Sequence, residues 1–370
     1  MQAAEIDDLK AESLSQSGPA EAFMERVCDI VNAGAQSVMI SIGHRAGLFD
    51  AMAGLEPASS RQIADRTCLS ERYVREWLAT MVTANIIDYA PQNRTYHLPP
   101  AHAACLTREA EHGNLAVYAQ HISLLGAMQE NTLRCLETGE GTSYDDYPCF
   151  HQVMAEDSEQ TVVNALFENV LPLAEGIESR LVDGIEVLDA GCGEGRALVA
   201  LAKRYPRSRF TGYDLCEDAI VTAARHAESE KLDNLRFATR DLSDFDESGR
   251  YDLVLTLDAI HDQRDPEDFI ARLHRALKSS GVYLMQDIGG SEQLENNLDF
   301  PMASLFYAIS LSHCTQVSIG QGGKGLGAMW GWETAQVMLK KAGFISSDPH
   351  WLPHDPTNVW FVNRRQEYDD

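Results

Sequence analysis

The sequence predicts an α/β chain: a parallel sheet covered by helices on both faces in the second half, preceded by a mostly helical module. Two observations predict this. After Ile185, short β-branched apolar runs alternate with helical stretches, the pattern of strand–helix–strand crossovers. From Glu21 to about Thr107, apolar residues instead recur every three or four positions, the period of a helix face. A chain of 370 residues is too long for one typical domain and suits two.

Taken in order, residues 1–20 are polar and end in Gly18-Pro19, which predicts a mobile tail. AEAFMERVCDIVNAGAQSVMISIGHRAGLFDAMAG carries the spacing of an amphipathic or buried helix pair. SSRQIADRT and SERYVREWLATMVTANII predict two short helices, each opened by a serine cap, with a tight turn at Cys68-Leu69. DYAPQNRTYHL then predicts a small hairpin with Gln92-Asn93 at its tip. Helix, turn, helix, hairpin is a winged-helix arrangement. Its arginines (61, 66, 72, 75, 94) are nearly balanced by Asp65, Glu71, Glu76 and Asp88, so packing against another subunit is favoured over DNA binding. Residues 21–107 are therefore expected to be a winged-helix-like dimerisation domain.

Residues 108–180 are expected to be a helical connector, broken by TGEGTSYDDYP. The domain from 181 to 366 follows, with strands expected at IEVLDA, RFTGYD, LRFATR, YDLVLTL and GVYLMQD, and a last one at NVWFVNRR. Between Asp287 and Trp332 lies an insertion, about 288–331. Its Phe300–Leu311 part reads as an apolar helix and its GQGGKGLGAMWG part as flexible. Its place on the carboxyl edge of the sheet suggests a lid over bound reactants. Gly-Gly-Lys324-Gly lacks the following Ser or Thr and the preceding strand of a phosphate loop.

Composition narrows the partners. A formal net charge of −26 argues against nucleic acid and anionic membranes, which need aligned lysines and arginines. Eight cysteines without a CxxC pair suit neither a structural zinc site nor a disulfide scaffold; no metal is expected, and reduced thiols suggest a cytoplasmic protein. The N-terminal stretch has no apolar core of a secretory signal, and no apolar run reaches the length of a membrane span.

The chemistry concentrates after the first strand, in Asp189-Ala-Gly191-Cys-Gly193-Glu-Gly195. Glycines at alternate positions let the backbone turn sharply and let a ligand approach closely. Asp214, one β–α unit later, can accept hydrogen bonds from ribose hydroxyls. The dinucleotide fingerprint would place a third glycine where Arg196 stands, which argues against NAD. Asp189 would repel a phosphate, and a carboxylate there suits a cationic ligand such as S-adenosylmethionine.

VLDAGCGEG resembles the first motif of the class I S-adenosylmethionine-dependent methyltransferases. Asp214, Arg240-Asp241-Leu242 and YDLVLTLDAIHD resemble the later motifs in order and spacing. This covers about residues 185–290 and implies a Rossmann-like, seven-stranded sheet. SVMISIGHRAGLFDAM and SSRQIADRTCLSERYVREWLATMV ahead of it are similar to the small-molecule O-methyltransferases, and to a bacterial group of uncharacterised winged-helix methyltransferases. The resemblance implies that Asp189, Gly191, Gly193 and Gly195 cradle the methionine part of the donor. Asp214 with Leu215 would hold the ribose, Asp241 and Leu242 the adenine, and Asp258 would line the site. It also implies a homodimer.

In the O-methyltransferases resembled, a histidine in a His-Asp-Trp segment after the fourth strand is the general base, and His261-Asp262-Gln263 stands at that place. An imidazole suits the removal of a hydroxyl proton near neutral pH. Asp287 or Asp258 could orient it. Asp262 or Asp265 could instead simply start the helix at Pro266. Met302, Phe306, Tyr307, His313, Met329 and Trp330 are candidate acceptor-pocket residues, and as many could be core. The expected reaction is methyl transfer to a small-molecule hydroxyl; an amine or thiol acceptor, or a donor-sensing regulator, are the rivals.

Overall fold

The computed structural model describes residues 18–110, 113–345 and 348–365. The chain divides into two compact units, Met1–Ser123 and Leu124–Asp370, so the division falls within the stretch expected as connector. The expected mobile tail lies outside the described residues, except for residues 18–20. There Gly18 caps a helix whose first residue is Pro19, a favoured place for proline because its missing N–H has no partner to lose.

The first unit opens with α1 (Pro19–Arg45), one helix of 27 residues where the first member of a helix pair was expected. α2 (Leu48–Met52) follows it after Gly47, whose φ of +68° turns the chain. α3 (Ser60–Thr67) is capped by Ser59, which accepts the amide of Gln62 while the Gln62 side chain returns to Ser59. α4 (Glu71–Thr83) begins after Ser70, which makes no side-chain cap bond. β1 (Asp88–Ala90) and β2 (Thr95–His97) pair antiparallel as the wing, and α5 (Pro100–Leu106) completes the module. Leu48, Phe49, Ile63, Val74, Trp77, Leu78 and Met81 form its core, and Trp77 donates its indole N–H to the Met39 carbonyl at 2.8 Å. The first half of α1 contributes nothing to that core: Phe23, Met24, Val27, Ile30 and Val31 are all exposed.

The second unit carries α6 (Gln129–Thr138) and α7 (Phe150–Ser158), then two single-turn π-helices and α8 (Ile177–Asp183). The sheet is built from β3 (Glu186–Ala190), β4 (Arg209–Asp214), β5 (Leu235–Thr239), β6 (Tyr251–Leu257), β7 (Leu277–Ile288), β8 (Phe344–Ile345), β9 (Pro349–Leu352) and β10 (Asp355–Arg365). Seven strands run in the order β5-β4-β3-β6-β7-β10-β8, and β9 pairs with β10 as an eighth. β3 to β7 are parallel, while β10 enters antiparallel to β7. α9 (Arg196–Arg204), α10 (Glu217–Ser229) and α11 (Pro266–Ala276) make the crossovers. Apolar side chains from both faces of β3, β6 and β7 go into two separate cores, which is why these strands read as nearly unbroken hydrophobic runs. The strand order reverses between β3 and β6, and a crevice at such a switch point is where open α/β sheets bind ligands.

The 288–331 insertion departs from expectation in two ways. Its helix starts at Ala303, not Phe300, and runs on as α12 (Ala303–Ile309), a π-turn at Ser310–Cys314 and α13 (Thr315–Gly320). The glycine-rich part is packed rather than loose: Ala328, Met329 and Trp330 are buried. Its glycines serve close approach. An added Cβ would stand 2.7 Å from the Arg264 carbonyl at Gly323 and 2.3 Å from the Glu292 amide at Gly331. α14 (Trp332–Lys341) follows. Among the described residues, no helix is long and apolar enough to cross a membrane.

Candidate active site

The site is built at the carboxyl ends of β3, β4, β6 and β7. β3 delivers Asp189, only 1% exposed, into the turn Gly191–Gly195. Gly191, Gly193 and Gly195 have φ of +90°, +51° and +69°, a region that side chains disfavour. A Cβ on Gly191 would meet the Ala259 methyl at 2.6 Å, and one on Gly195 the Phe237 ring at 2.4 Å. Cys192 packs within this turn, where burial pushes its thiol well above the ordinary range. It is a packing residue.

Asp189 has an unmet requirement. Its Oδ1 is buried without a hydrogen-bond partner, and burial together with the Asp214 carboxylate pushes its pKa up to about 8. A buried carboxyl in that condition is stabilised by a cation. At the end of β4, Asp214 accepts the amides of Gly193 at 2.8 Å and Cys216 at 2.9 Å. Both oxygens are thus fixed in direction, each with acceptor capacity left for a hydroxyl. Leu215 beside it is exposed. Asp241 caps the short turn Leu242–Asp244 by accepting the Ser243 amide, and Leu242 packs into the core with Tyr213 and Phe245.

β6 and β7 deliver the second half. Asp258 follows β6 with φ of +56°, a strained conformation for a residue with a side chain, and such outliers concentrate at functional sites. His261 lies three residues on, 2% exposed. Its Nδ1 is 2.8 Å from Oδ1 of Asp287, at the end of β7, and 3.8 Å from Asp258. Asp287 is therefore the residue that orients the ring, a choice that spacing left open. The same Asp287 oxygen accepts the Trp330 indole N–H at 2.9 Å. The helix at Pro266 is capped by Asp265, which leaves Asp262 free of that structural duty.

Asp262 instead turns inward. Its Oδ1 stands 3.3 Å from Nε2 of His261, and its Oδ2 stands 3.3 Å from Nε2 of His313. Tyr144 donates its hydroxyl to the same Oδ2 at 3.1 Å. Burial opposes ionisation of Asp262, but His261 and His313 hold it well below the ordinary carboxylate range. Burial likewise opposes protonation of His261, and the Asp287 and Asp262 carboxylates outweigh it and raise the imidazole well above its usual value. Cys314 lies within the same cluster, its thiol pushed up to about 12 by burial. His261 with Asp262 and Cys314, or with Asp258 and Asp287, brings ligand-type atoms within 4.8 Å. Both imidazole nitrogens already face carboxylates, Asp287 through a hydrogen bond and Asp262 as a charge partner at 3.3 Å, while Oδ1 of Asp262 and both nitrogens of His313 are buried without a hydrogen bond.

Of the candidate acceptor residues, Phe306 and Met329 meet in one apolar cluster with Ile288 and Cys314, and Tyr307 packs against it. Trp330 reaches Asp287, and His313 sits among Tyr144, Tyr147 and Phe150, with ring centroids 4.3 Å apart for Phe150. Met302 stays apart from these and is exposed. Nothing in the sequence marks Tyr144, Tyr147 and Phe150: TGEGTSYDDYP reads only as a turn-rich break with Phe150 just beyond it, and no local pattern links Tyr144 to Asp262, 118 residues away.

Known proteins share both parts. Residues 34–108 match the model of the Rv2258c-like winged HTH domain, and residues 181–343 that of a methyltransferase domain. The chain joins a winged helix-turn-helix domain to a methyltransferase domain. The sheet of the latter has the Rossmann-like order of a methyltransferase fold. A ubiquinone biosynthesis O-methyltransferase of Caulobacter vibrioides is 35% identical over 27% of this chain and 39% of its own length. Among solved structures, a putative O-methyltransferase from Nostoc punctiforme has a TM-score of 0.69 at 19% identity, covering 94% of this chain and 100% of that one. Human N-acetylserotonin methyltransferase in complex with SAM has a TM-score of 0.68 at 17% identity, covering 95% and 99%. At such identities these two likenesses concern the fold. The curated relatives are matched over 23% to 44% of their own lengths.

Proposed function

We propose that this chain transfers a methyl group from S-adenosylmethionine to a hydroxyl of a small-molecule acceptor, with His261 as general base. The buried His261–Asp287 pair, set on the strand ends beside the glycine turn, carries the proposal. Bound there, S-adenosylmethionine supplies a methyl group made electrophilic by its sulfonium. The orphaned oxygen of Asp189 suits the donor's ammonium, and Asp214 suits its ribose hydroxyls. Alignment of a nucleophile on the far side of the methyl, with water excluded, supplies most of what such a displacement needs from a protein. Asp287 holds Nδ1–H of His261, so Nε2 is the atom that takes the acceptor's proton. Trp330 fixes Asp287 from the 288–331 segment, which supports reading that segment as a lid.

The test is turnover of labelled donor with a fractionated extract of small metabolites. His261→Ala should lower transfer by about a hundredfold or more, the usual worth of a general base, with donor binding intact. Equal transfer by both proteins would refute the base. It would favour a second reading, in which Asp258, Asp262 and Asp287 attract an amine acceptor and His261 only positions it.

The exposed apolar stripe of α1 supports a homodimer formed through the first unit. Arg72 and Arg75 on α4 are engaged by Glu76 and Glu71 of the same helix, which weighs against a DNA-reading surface. Eight free cysteines fit a reducing compartment, and we read the location as cytoplasmic.

A further inference from the structure

In the geometry described, a carboxylate faces each nitrogen of His261, hydrogen-bonded at Nδ1 and only charge-paired at Nε2. Nδ1 belongs to Asp287 at 2.8 Å, and the longer contact, 3.3 Å, places Asp262 on Nε2, the nitrogen a general base must offer. Asp262 is itself shared: its other oxygen meets His313 and Tyr144. His313 comes from the π-turn Ser310–Cys314 of the 288–331 segment, and π-turns of this kind often mark functional positions. Its ring is enclosed by three aromatic side chains, which fix where Nε2 points.

We propose that Asp262 is a latch on His261 and that His313 sets it. With Asp262 against Nε2, the imidazole is held as its cation and cannot accept a proton. When Asp262 moves wholly onto His313 and Tyr144, Nε2 is freed, the imidazole gives up its extra proton to solvent water, and it becomes a base. His313 is thus a positioning residue acting through Asp262, and it makes the base available only when the 288–331 segment is in place. The proposal rests on His261 as the base, and it can be read without any methyl transfer.

The groups that face His261 are Asp258 from the end of β6, Asp262 on its own segment, Asp287 from β7 and Cys314 from the π-turn; His313 and Tyr144 act at one remove. The experiment follows the titration of His261 by NMR of histidine-labelled protein, assigned with His261→Gln and loaded with S-adenosylhomocysteine. His313→Leu returns Asp262 to His261, so the titration midpoint rises by about one pH unit or more, the usual effect of an opposite charge brought close. Asp262→Asn lowers it by a similar amount. The double variant follows Asp262→Asn, because without the carboxylate His313 has nothing to hold. His313→Gln, which keeps an N–H donor, stays near the wild type. An unmoved midpoint in a folded, ligand-binding His313→Leu protein overturns the latch. So does a rise that persists in the Asp262→Asn background, since that would be direct repulsion between two rings. Shifts as described in a protein that never transfers methyl would leave the latch standing and remove the base assignment instead.

Discussion

Asp189 gives the sharpest quantitative expectation. Its carboxyl, 1% exposed with an orphaned oxygen, has its pKa raised from 3.8 to about 8 by burial and by Asp214. Between those two pH values the folded, ligand-free chain holds a proton that the unfolded chain lacks. Its contribution to stability is accordingly full at low pH and is lost as pH rises through about 8. Docking the donor's ammonium against it requires that proton to leave, so each pH unit below 8 weakens binding by nearly tenfold. The donor's amino group, with an ordinary pKa of about 7.7–8.0, loses its own charge at the upper end. Together the two ionisations predict affinity rising about eightfold from pH 6 to 7, peaking just below pH 8 and falling again by pH 9. Calorimetry over that range measures it. Asp189→Asn should flatten the rising limb and weaken binding near pH 8 by about tenfold to a hundredfold, the worth of a charge-assisted pair. 5′-Methylthioadenosine, which has no ammonium, should show no rising limb with the native protein. A change of less than about twofold between pH 6 and 7 for S-adenosylmethionine would refute the pairing of Asp189 with its ammonium.

Other expectations follow from single contacts. Trp330→Phe removes the indole N–H from Asp287 and should lower kcat by about tenfold or more with little change in donor affinity, as one neutral-to-charged hydrogen bond is worth about 1.5–3 kcal/mol; an unchanged kcat would separate Trp330 from the His261 pair. Gly195→Ala places a methyl against Phe237 at a φ of +69°, so thermal unfolding should show a loss of at least about 1–3 kcal/mol together with weakened donor binding. Ile30→Glu with Val31→Glu charges the exposed stripe of α1; light scattering should show a dimer become a monomer, and an unchanged mass would exclude that stripe as the interface.

Much of this protein was legible locally. The strands RFTGYD and YDLVLTL have the bounds expected from sequence, because a parallel strand covered on both faces is buried through its middle and reads as a short run bounded by polar residues. The glycine turn was readable because alternate positive φ angles and close backbone approach demand glycine wherever they occur. The cap at Ser59 is a four-residue motif, complete in itself. The serine at 70 makes no such bond, and Tyr73 stands where a capping box needs a Glu or Gln.

The site was legible only up to its members. Asp189 and Asp214 could be named because each sits at a strand end, and His261 because it follows one closely, in a familiar spacing. That Asp287 and not Asp258 holds the imidazole depends on strands β6 and β7 lying in register side by side, a difference of 2.8 against 3.8 Å that spacing does not encode. The flexibility expected of the GQGGKGLGAMWG stretch was not found, because glycine permits both loose chain and tight approach, and only the neighbours decide which. Tyr144 precedes the first strand of the sheet and His313 follows β7, and only the fold brings both to one oxygen of Asp262. Sequence by itself pointed to the layers, to the glycine turn and to His261 as a candidate. Tertiary structure decided which carboxylates face it, because side-chain electrostatics depends on distances of a few ångströms between residues far apart in the chain.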